Sequence, residues 1–539
     1  MPRLTKNLFA AALALAPLSA ARAEAPATLD EIKPVLQQLG VTLNVTQRPA
    51  WPGVQGTSVI ATLVPQTDLT GPTIVSFGLP FPPDALADEK NIRVTGSDGA
   101  ELAVFTRPLV KWWIDRKEGA IRSVLIQFET TFQGKTPQQV TITWDKPRTR
   151  IRATEVATGD TQFERHVDAP VNFNRTDAYS YQCPKVLALL PPGWLCNSLV
   201  AWQQITVAGN RVYPWFDEHY TTAFPGSLRY ISANPRGYEA HLFDRPAVYA
   251  KFYVRSGDEA QLVAALAAND YYRQHITPDG FFDVKKDASG QPAKDLKYVY
   301  SEGTAIMYML TGDENYEETL KRVAKGWATH SRIEFRGEGF WTERHHGFGM
   351  MAWDHLYELT GDPKCLDNAK RFFDAALDMQ IHPGDGKAPD GAWLHTAAAH
   401  GDGNGWTTSP WMSAFLSDAI WKYWMLSGDE RAAASLAMYD KFASRYAVTA
   451  DGKYVNYMAN SPGRGQPQNK QDLSHNMEGI YLLSMGYYLS GGQDKEFLTR
   501  IEGLKPGMLD DQANSPGRKF NWRFRETSMG LWFLAHAGT

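Results

Sequence analysis

Leu310-Thr311-Gly312-Asp313 and Leu359-Thr360-Gly361-Asp362 decide the fold of this 539-residue chain. Each ends an apolar, aromatic run of helical period with a glycine, followed at once by an aspartate. The glycine takes the left-handed conformation that terminates a helix, and the aspartate caps the next one. The same punctuation recurs as Arg255-Ser256-Gly257-Asp258, as Leu426-Ser427-Gly428-Asp429 and, with an insertion, as Leu489-Ser490-Gly491-Gly492-Gln493-Asp494. The tags stand roughly 50 to 70 residues apart, room for one helical hairpin and a loop of variable length. Such hairpins bury a continuous core only by stacking on their neighbours. A sixth apolar helix is expected over residues 528–537. Five hairpins and a closing helix predict an (α/α) toroid over residues 239–539, with the loops before the inner helices lining one funnel.

Residues 24–151 carry a different period. Ser58-Val59-Ile60-Ala61-Thr62-Leu63-Val64, Thr73-Ile74-Val75-Ser76-Phe77 and Ile121-Arg122-Ser123-Val124-Leu125-Ile126-Gln127-Phe128 alternate with a period of two between Gly and Pro turns, which predicts an N-terminal β domain. Residues 152–238 are mixed and read as a connecting region. There Cys183 and Cys196 flank a Pro191-Pro192-Gly193 turn. A disulfide between them is expected, with a stabilising effect of roughly 3 kcal/mol for a loop of that size. Cys365, on an amphipathic helix, is expected as a buried thiol. The fold class is α+β multidomain: an N-terminal β domain, then the toroid.

Residues 1–23 are set apart by Arg3 and Lys6, the apolar run from Leu8 to Leu18, and Ala21-Arg22-Ala23. That pattern reads as a secretory signal peptide, and the mature chain is expected in the periplasm of a Gram-negative host or secreted. No later stretch approaches about 20 uninterrupted apolar residues, so no membrane anchor is expected. A formal net charge of −4 without a basic run makes nucleic acid an unfavourable partner. The 17 Trp, 23 Tyr and 25 Phe fill cores in the main, but aromatic faces also stack on pyranose rings, so a minority are expected to touch sugar.

The stretches Gly78-Leu79-Pro80-Phe81-Pro82, Ile92-Arg93-Val94-Thr95-Gly96-Ser97-Asp98-Gly99-Ala100-Glu101, Trp112-Trp113 and Gly119-Ala120-Ile121-Arg122-Ser123-Val124-Leu125 form a recognisable series. It resembles the N-terminal β domain of the exo-rhamnogalacturonan-lyase-like group of polysaccharide lyases, in which such a domain precedes an (α/α) toroid. The resemblance covers roughly a hundred residues and implies an enzyme acting on an acidic polysaccharide. The chain departs from that group in stopping at the last toroid helix, without a large C-terminal β-sandwich, and no catalytic residue is carried over.

The loops before the predicted inner helices hold the unusual residues. Eliminative cleavage of a uronate-containing chain needs a base for the proton α to the carboxylate, a group that stabilises the enolate-like charge, and an acid for the leaving oxygen. His345, His346 and Tyr300, with Glu343 beside them, are the candidates for the proton transfers. Arg344, His475, Asn476, Arg523 and Arg525 are the candidates for holding a carboxylate, and Trp341, Trp393, Trp406 and Glu302 for other substrate contacts. Against each stands a bland reading: His345 or His346 as a helix-start hydrogen bonder, Tyr300 as core beside Tyr298 and Tyr308, His475-Asn476 as a cap, and Arg523 and Arg525 in a salt bridge to Glu526. No cofactor is expected. Neither is a metal, because adjacent histidines face apart and no further ligand spacing accompanies them. Hydrolysis is the alternative chemistry, with Glu302 and Glu343 as its carboxyl pair and Asp354 and Glu526 in reserve. A non-catalytic polysaccharide-binding protein is the third reading. The expected partner is an acidic polysaccharide or oligosaccharide.

Overall fold

The structure is a computed structural model that describes residues 27–53, 56–167, 180–201, 204–209, 211–233, 237–329, 342–396, 405–465, 475–510 and 516–538. The signal-like residues 1–23 and Trp341 lie outside them. After helix α1 (Leu29–Leu39), strands β1 (Ser58–Pro65), β2 (Leu69–Pro80), β3 (Arg93–Thr95), β4 (Val104–Ile114), β5 (Lys117–Gly134) and β6 (Gln138–Thr143) follow. Then come β7 (Gln162–His166), β8 (Ser180–Pro184) and β9 (Val186–Leu189). Antiparallel pairing gives a sheet of order β3-β6-β1-β9 and a second of order β2-β5-β4. The middle strand β5 is buried without a break from Ile121 to Phe128, as expected of a strand covered on both faces. Ser123 donates to the Met309 carbonyl at 2.7 Å, so one of those faces lies on helices.

Those helices form a ring. After α2 (Pro192–Asn197), α3 (Pro214–Ala233) and α4 (Tyr238–His241) come the inner helices α5 (Arg245–Ser256), α7 (Glu302–Thr311), α9 (Glu343–Thr360), α11 (Pro410–Ser427) and α13 (Asn476–Leu489). The ring ends with α15 (Arg518–Arg525) and α16 (Gly530–His536), and α15 packs back on α5 to close it. The outer layer alternates with it as α6 (Glu259–Gln274), α8 (Glu314–Ala328), α10 (Pro363–Ile381), α12 (Arg431–Phe442) and α14 (Glu496–Asp510). Inner α11 and α13 are buried on every side, whereas outer α8 keeps one polar face, as the two layers require.

The tags work as their chemistry dictates. Gly257, Gly312, Gly361 and Gly428 have φ of 65–70° and donate to the carbonyl four residues back. Asp258, Asp313, Asp362, Asp429 and Asp494 each accept a backbone N–H of the next helix. All five tags also sit on the part of the chain that precedes the ring. A Cβ at Gly312 would meet Leu125, at Gly361 Trp113, at Gly428 Asp115, at Gly491 Asn44 and at Gly257 Pro192. The β sheet therefore closes the end of the ring where the inner helices finish, and leaves the end where they begin as the mouth.

Two expectations fail. Cys183 and Cys196 are free and buried, one on β8 and the other in α2 with its Sγ 3.5 Å from the Val254 carbonyl. Arg523 and Arg525, expected in a loop before an inner helix, lie within helix α15. Among the described residues no helix is long and apolar enough to cross a membrane.

Candidate active site

Helix length sets the shape of the mouth. All inner helices end on the β domain, but α9 and α11 have 18 residues each while α5 has 12 and α7 has 10. At about 1.5 Å per residue, α9 and α11 begin roughly 10 Å above α5 and α7. The two long helices therefore form a wall, and the segments leading into the two short ones form a floor.

On that floor lies Phe243, stacked on Phe415 (5.2 Å, 7° between planes) and set against Trp411 at 5.5 Å and Trp522 at 5.1 Å. Arg344, in the first turn of α9, lies 6.0 Å from the Phe243 ring and 5.8 Å from Trp411. Burial pushes its guanidinium down to about 10, against the pull of the neighbouring Tyr457, Tyr300, Asp295 and Tyr298. His475, at the start of α13, stacks on the other partner of that cation, Trp411 (4.7 Å, 9°). Tyr457 stands 5.6 Å from Trp411 and 5.9 Å from His475. Arg344, Tyr457 and His475 thus share one indole. The His475 Nδ1 meets the Glu478 carboxylate at 3.2 Å, an arrangement that places the ring proton on Nδ1 and makes Nε2 the basic nitrogen. Burial raises the Glu478 carboxyl, and His475 opposes that shift. The N-terminal ends of α9, α11 and α13, which carry Arg344, Trp411 and His475, border the site, and the dipoles of those helices favour an anion there.

Below the floor runs a buried ionic shaft. Glu302 binds Lys251 and Arg525 at 2.8 Å each, and Arg525 also reaches Glu526 at 2.5 Å and Asp418 at 3.3 Å. Deeper still, Glu358 bridges Lys422 at 3.1 Å and Arg122 of β5 at 3.0 Å. Burial acts to raise the Glu302 carboxyl, but Arg525 and Lys251 outweigh it and hold it below the usual range. Burial lifts Glu526 to about 8 and Asp354 well above its ordinary value.

The predicted residues separate accordingly. The mouth brings together Arg344 and His475. Arg523 is buried in α15, close enough to His219 that its charge joins burial in lowering that imidazole to about 4. Tyr300 is buried under the floor, its hydroxyl accepting from the Phe243 N–H at 2.9 Å and donating to the Lys297 carbonyl. His345 is engaged with Thr342 through Nδ1. His346 turns outward, its Nε2 donating to the Phe372 carbonyl of α10 at 2.6 Å. Asn476 accepts from Val455 N–H and donates to the Lys453 and Leu504 carbonyls, which ties α13 to its neighbours. Glu343 is buried with its Oε1 on His395 (2.9 Å) and Thr408 (2.8 Å). Trp393 stacks on Tyr439 at 4.3 Å inside the core, and Trp406 is half-buried. Arg525 and Glu302 belong to the shaft. Sequence reasoning missed Phe243, Trp411, Trp522 and Tyr457 as site residues. Tyr457 reaches the mouth because Thr408 and Ala459 pair across two loops, a contact with no local sequence signal.

No protein-family model and no curated protein matches the chain. Among solved structures it is similar to a glycosyl hydrolase family 88 protein from Bacteroides vulgatus, with 13% identity, 59% of this chain and 98% of that one covered, and a TM-score of 0.43. It is similar to a polysaccharide lyase with 13% identity, 59% and 98% covered, and a TM-score of 0.42. A sugar epimerase from a ruminal bacterium matches with 16% identity, 51% and 75% covered, and a TM-score of 0.37. Similarity of this order carries no activity from those proteins to this chain.

Proposed function

We propose that this protein is an exported polysaccharide lyase that cleaves an acidic, uronate-containing polysaccharide by β-elimination at the mouth of the toroid. The observation that carries the reading is the trio of Arg344, Tyr457 and His475 on Trp411. A guanidinium whose charge is disfavoured by burial gains from a carboxylate, and a substrate carboxylate on Arg344 has its α proton acidified by the same charge. His475 Nε2, with Glu478 behind it, takes that proton. The Tyr457 phenol returns one to the departing glycosidic oxygen, so the bond breaks without water. Trp411, Trp522 and Phe243 are buried and pack the trio from behind. The hydrolytic alternative is weakened because Glu302 is spent on Lys251 and Arg525.

The test is ultraviolet absorbance of the unsaturated uronate product during incubation with rhamnogalacturonan, alginate, glucuronan and bacterial exopolysaccharides. Rising absorbance with wild type, lost in His475→Ala and Arg344→Ala variants that still fold, supports the reading. New reducing ends without absorbance, or full activity in both variants, overturns it.

A further inference from the structure

Phe243 and Asp244 are consecutive non-glycine residues in the left-handed region, with φ of 70° and 57°. Both are 1% exposed. That conformation costs a bulky side chain free energy and persists only where its surroundings over-determine it. Here three bonds do so. The Phe243 N–H donates to the Tyr300 hydroxyl at 2.9 Å. The Asp244 carboxylate accepts from Ala247 N–H at 3.2 Å and from Gly303 N–H at 3.4 Å, which caps α5 and ties it to the first turn of α7. Gly303 is pressed so close that a Cβ there would lie 2.8 Å from the Ala247 nitrogen.

The strained pair faces two ways. Phe243 presents its ring to Trp411, Trp522 and Arg344 at the mouth. Asp244 faces the shaft, where Arg525 and Glu302 are the charges that act on it. Between the two, Phe243, Phe415 and Phe348 form a layer, with Phe348 5.1 Å from Phe415, and Arg525 lies against Phe348 at 5.2 Å and Phe415 at 5.7 Å. One arginine stands on each side of an aromatic septum.

We infer that Phe243 is the buried floor beneath the mouth, the layer that supports Trp411 and Arg344 and separates them from the ionic shaft, and that Tyr300 is a positioning residue that holds Phe243 in its strained conformation. The kinetic part of this inference rests on the reading of the mouth as a uronate site. It assigns Tyr300 no proton transfer: its hydroxyl is committed to two backbone groups beneath the floor.

Tyr300→Phe is the informative variant, because it keeps the ring and deletes only the hydroxyl. Loss of one hydrogen bond behind the floor is expected to weaken binding about 2- to 10-fold. In steady-state assays on the best acidic polysaccharide, KM should rise by that factor, with kcat and the pH profile unchanged. A fall in kcat of about 100-fold or more with a displaced pH profile makes Tyr300 a proton carrier and overturns the inference. So does a lowered unfolding midpoint with KM and kcat unchanged, which makes the bond merely structural. If wild type acts on none of the polysaccharides, the uronate reading has failed, and the crystal structure of Tyr300→Phe decides the rest. Relaxation of Phe243 out of the left-handed region supports the positioning role, and an unmoved Phe243 overturns it. Should Tyr300→Phe not fold, Phe243→Leu takes its place: the flat floor is lost, so KM must rise with kcat kept, and an unchanged KM refutes the assignment.

Discussion

Replacing Glu302 by Gln separates a structural carboxylate from a hydrolytic one. Glu302 is 3% exposed and neutralises Lys251 with one oxygen and Arg525 with the other, each at 2.8 Å. Glutamine keeps the volume and removes the charge. Arg525 retains Asp418 and Glu526. Lys251 keeps its hydrogen bond to the Arg525 carbonyl, 2.8 Å from its Nζ, and a longer-range attraction to Glu526. One buried cation of the two thus loses its direct counter-ion. Breaking a buried pair by removing one partner costs about 3–5 kcal/mol, and because only one cation is uncompensated the lower end, about 3 kcal/mol, is expected. The pair is too deep for mobile ions, so added salt should not restore the loss. Urea unfolding followed by circular dichroism reads both effects. A variant with less than about 1 kcal/mol of lost stability and no activity would refute the reasoning and return Glu302 to the chemistry.

Gly361→Ala should lose about 2–5 kcal/mol, because alanine pays for φ of 68° and its Cβ falls 2.3 Å from the Trp113 ring; a thermal midpoint within error of wild type counts against the seating of the tags on the sheet. Asp244 gives a pH signature. Burial, only partly offset by Arg525, lifts its carboxyl to about 6, so the folded state holds the proton more tightly than the unfolded chain. This group's contribution to stability is present below about pH 4 and is lost as the pH rises through about 6, a span of roughly 3 kcal/mol. Stability of Asp244→Asn should therefore fall less steeply than wild type across that window, and parallel curves would contradict the shift. Burial raises the Cys183 thiol and pushes those of Cys196 and Cys365 up to about 12. Ellman titration should find all three thiols in denaturant and almost none in the native protein, whereas a single thiol in denaturant would restore the disulfide.

The toroid was legible because its punctuation is local chemistry: a glycine that must go left-handed and an aspartate that caps are visible without any tertiary contact. The strands at Ser58, Thr73 and Ile121 were legible for the same reason, through a period of two. The candidate site was legible only where an unusual residue also stood at the right height. Arg344 and His475 did; Glu302 and Arg525 did not. Pooling the loops by composition ignored depth, yet depth can be counted: α7 has 10 residues from Glu302 to its tag and α9 has 18 from Glu343. Glu302 therefore had to lie well below Arg344. Tyr457 and the Phe243 floor depend on loops meeting across the mouth, and no spacing along the chain encodes that meeting.

The seating of every tag on the part of the chain that precedes the ring has a consequence for how the molecule is made. The chain delivers the seat before the hairpins. The β4–β5 hairpin that holds Leu125, Trp113 and Asp115 emerges ahead of Gly312, Gly361 and Gly428, and domains tend to fold in the order in which they emerge. Each hairpin then arrives at a surface already shaped for its end, and the ring is built against a jig instead of closing on itself by chance. A toroid severed from that jig would have to align its helix ends through long-range contacts alone, the slowest kind to form.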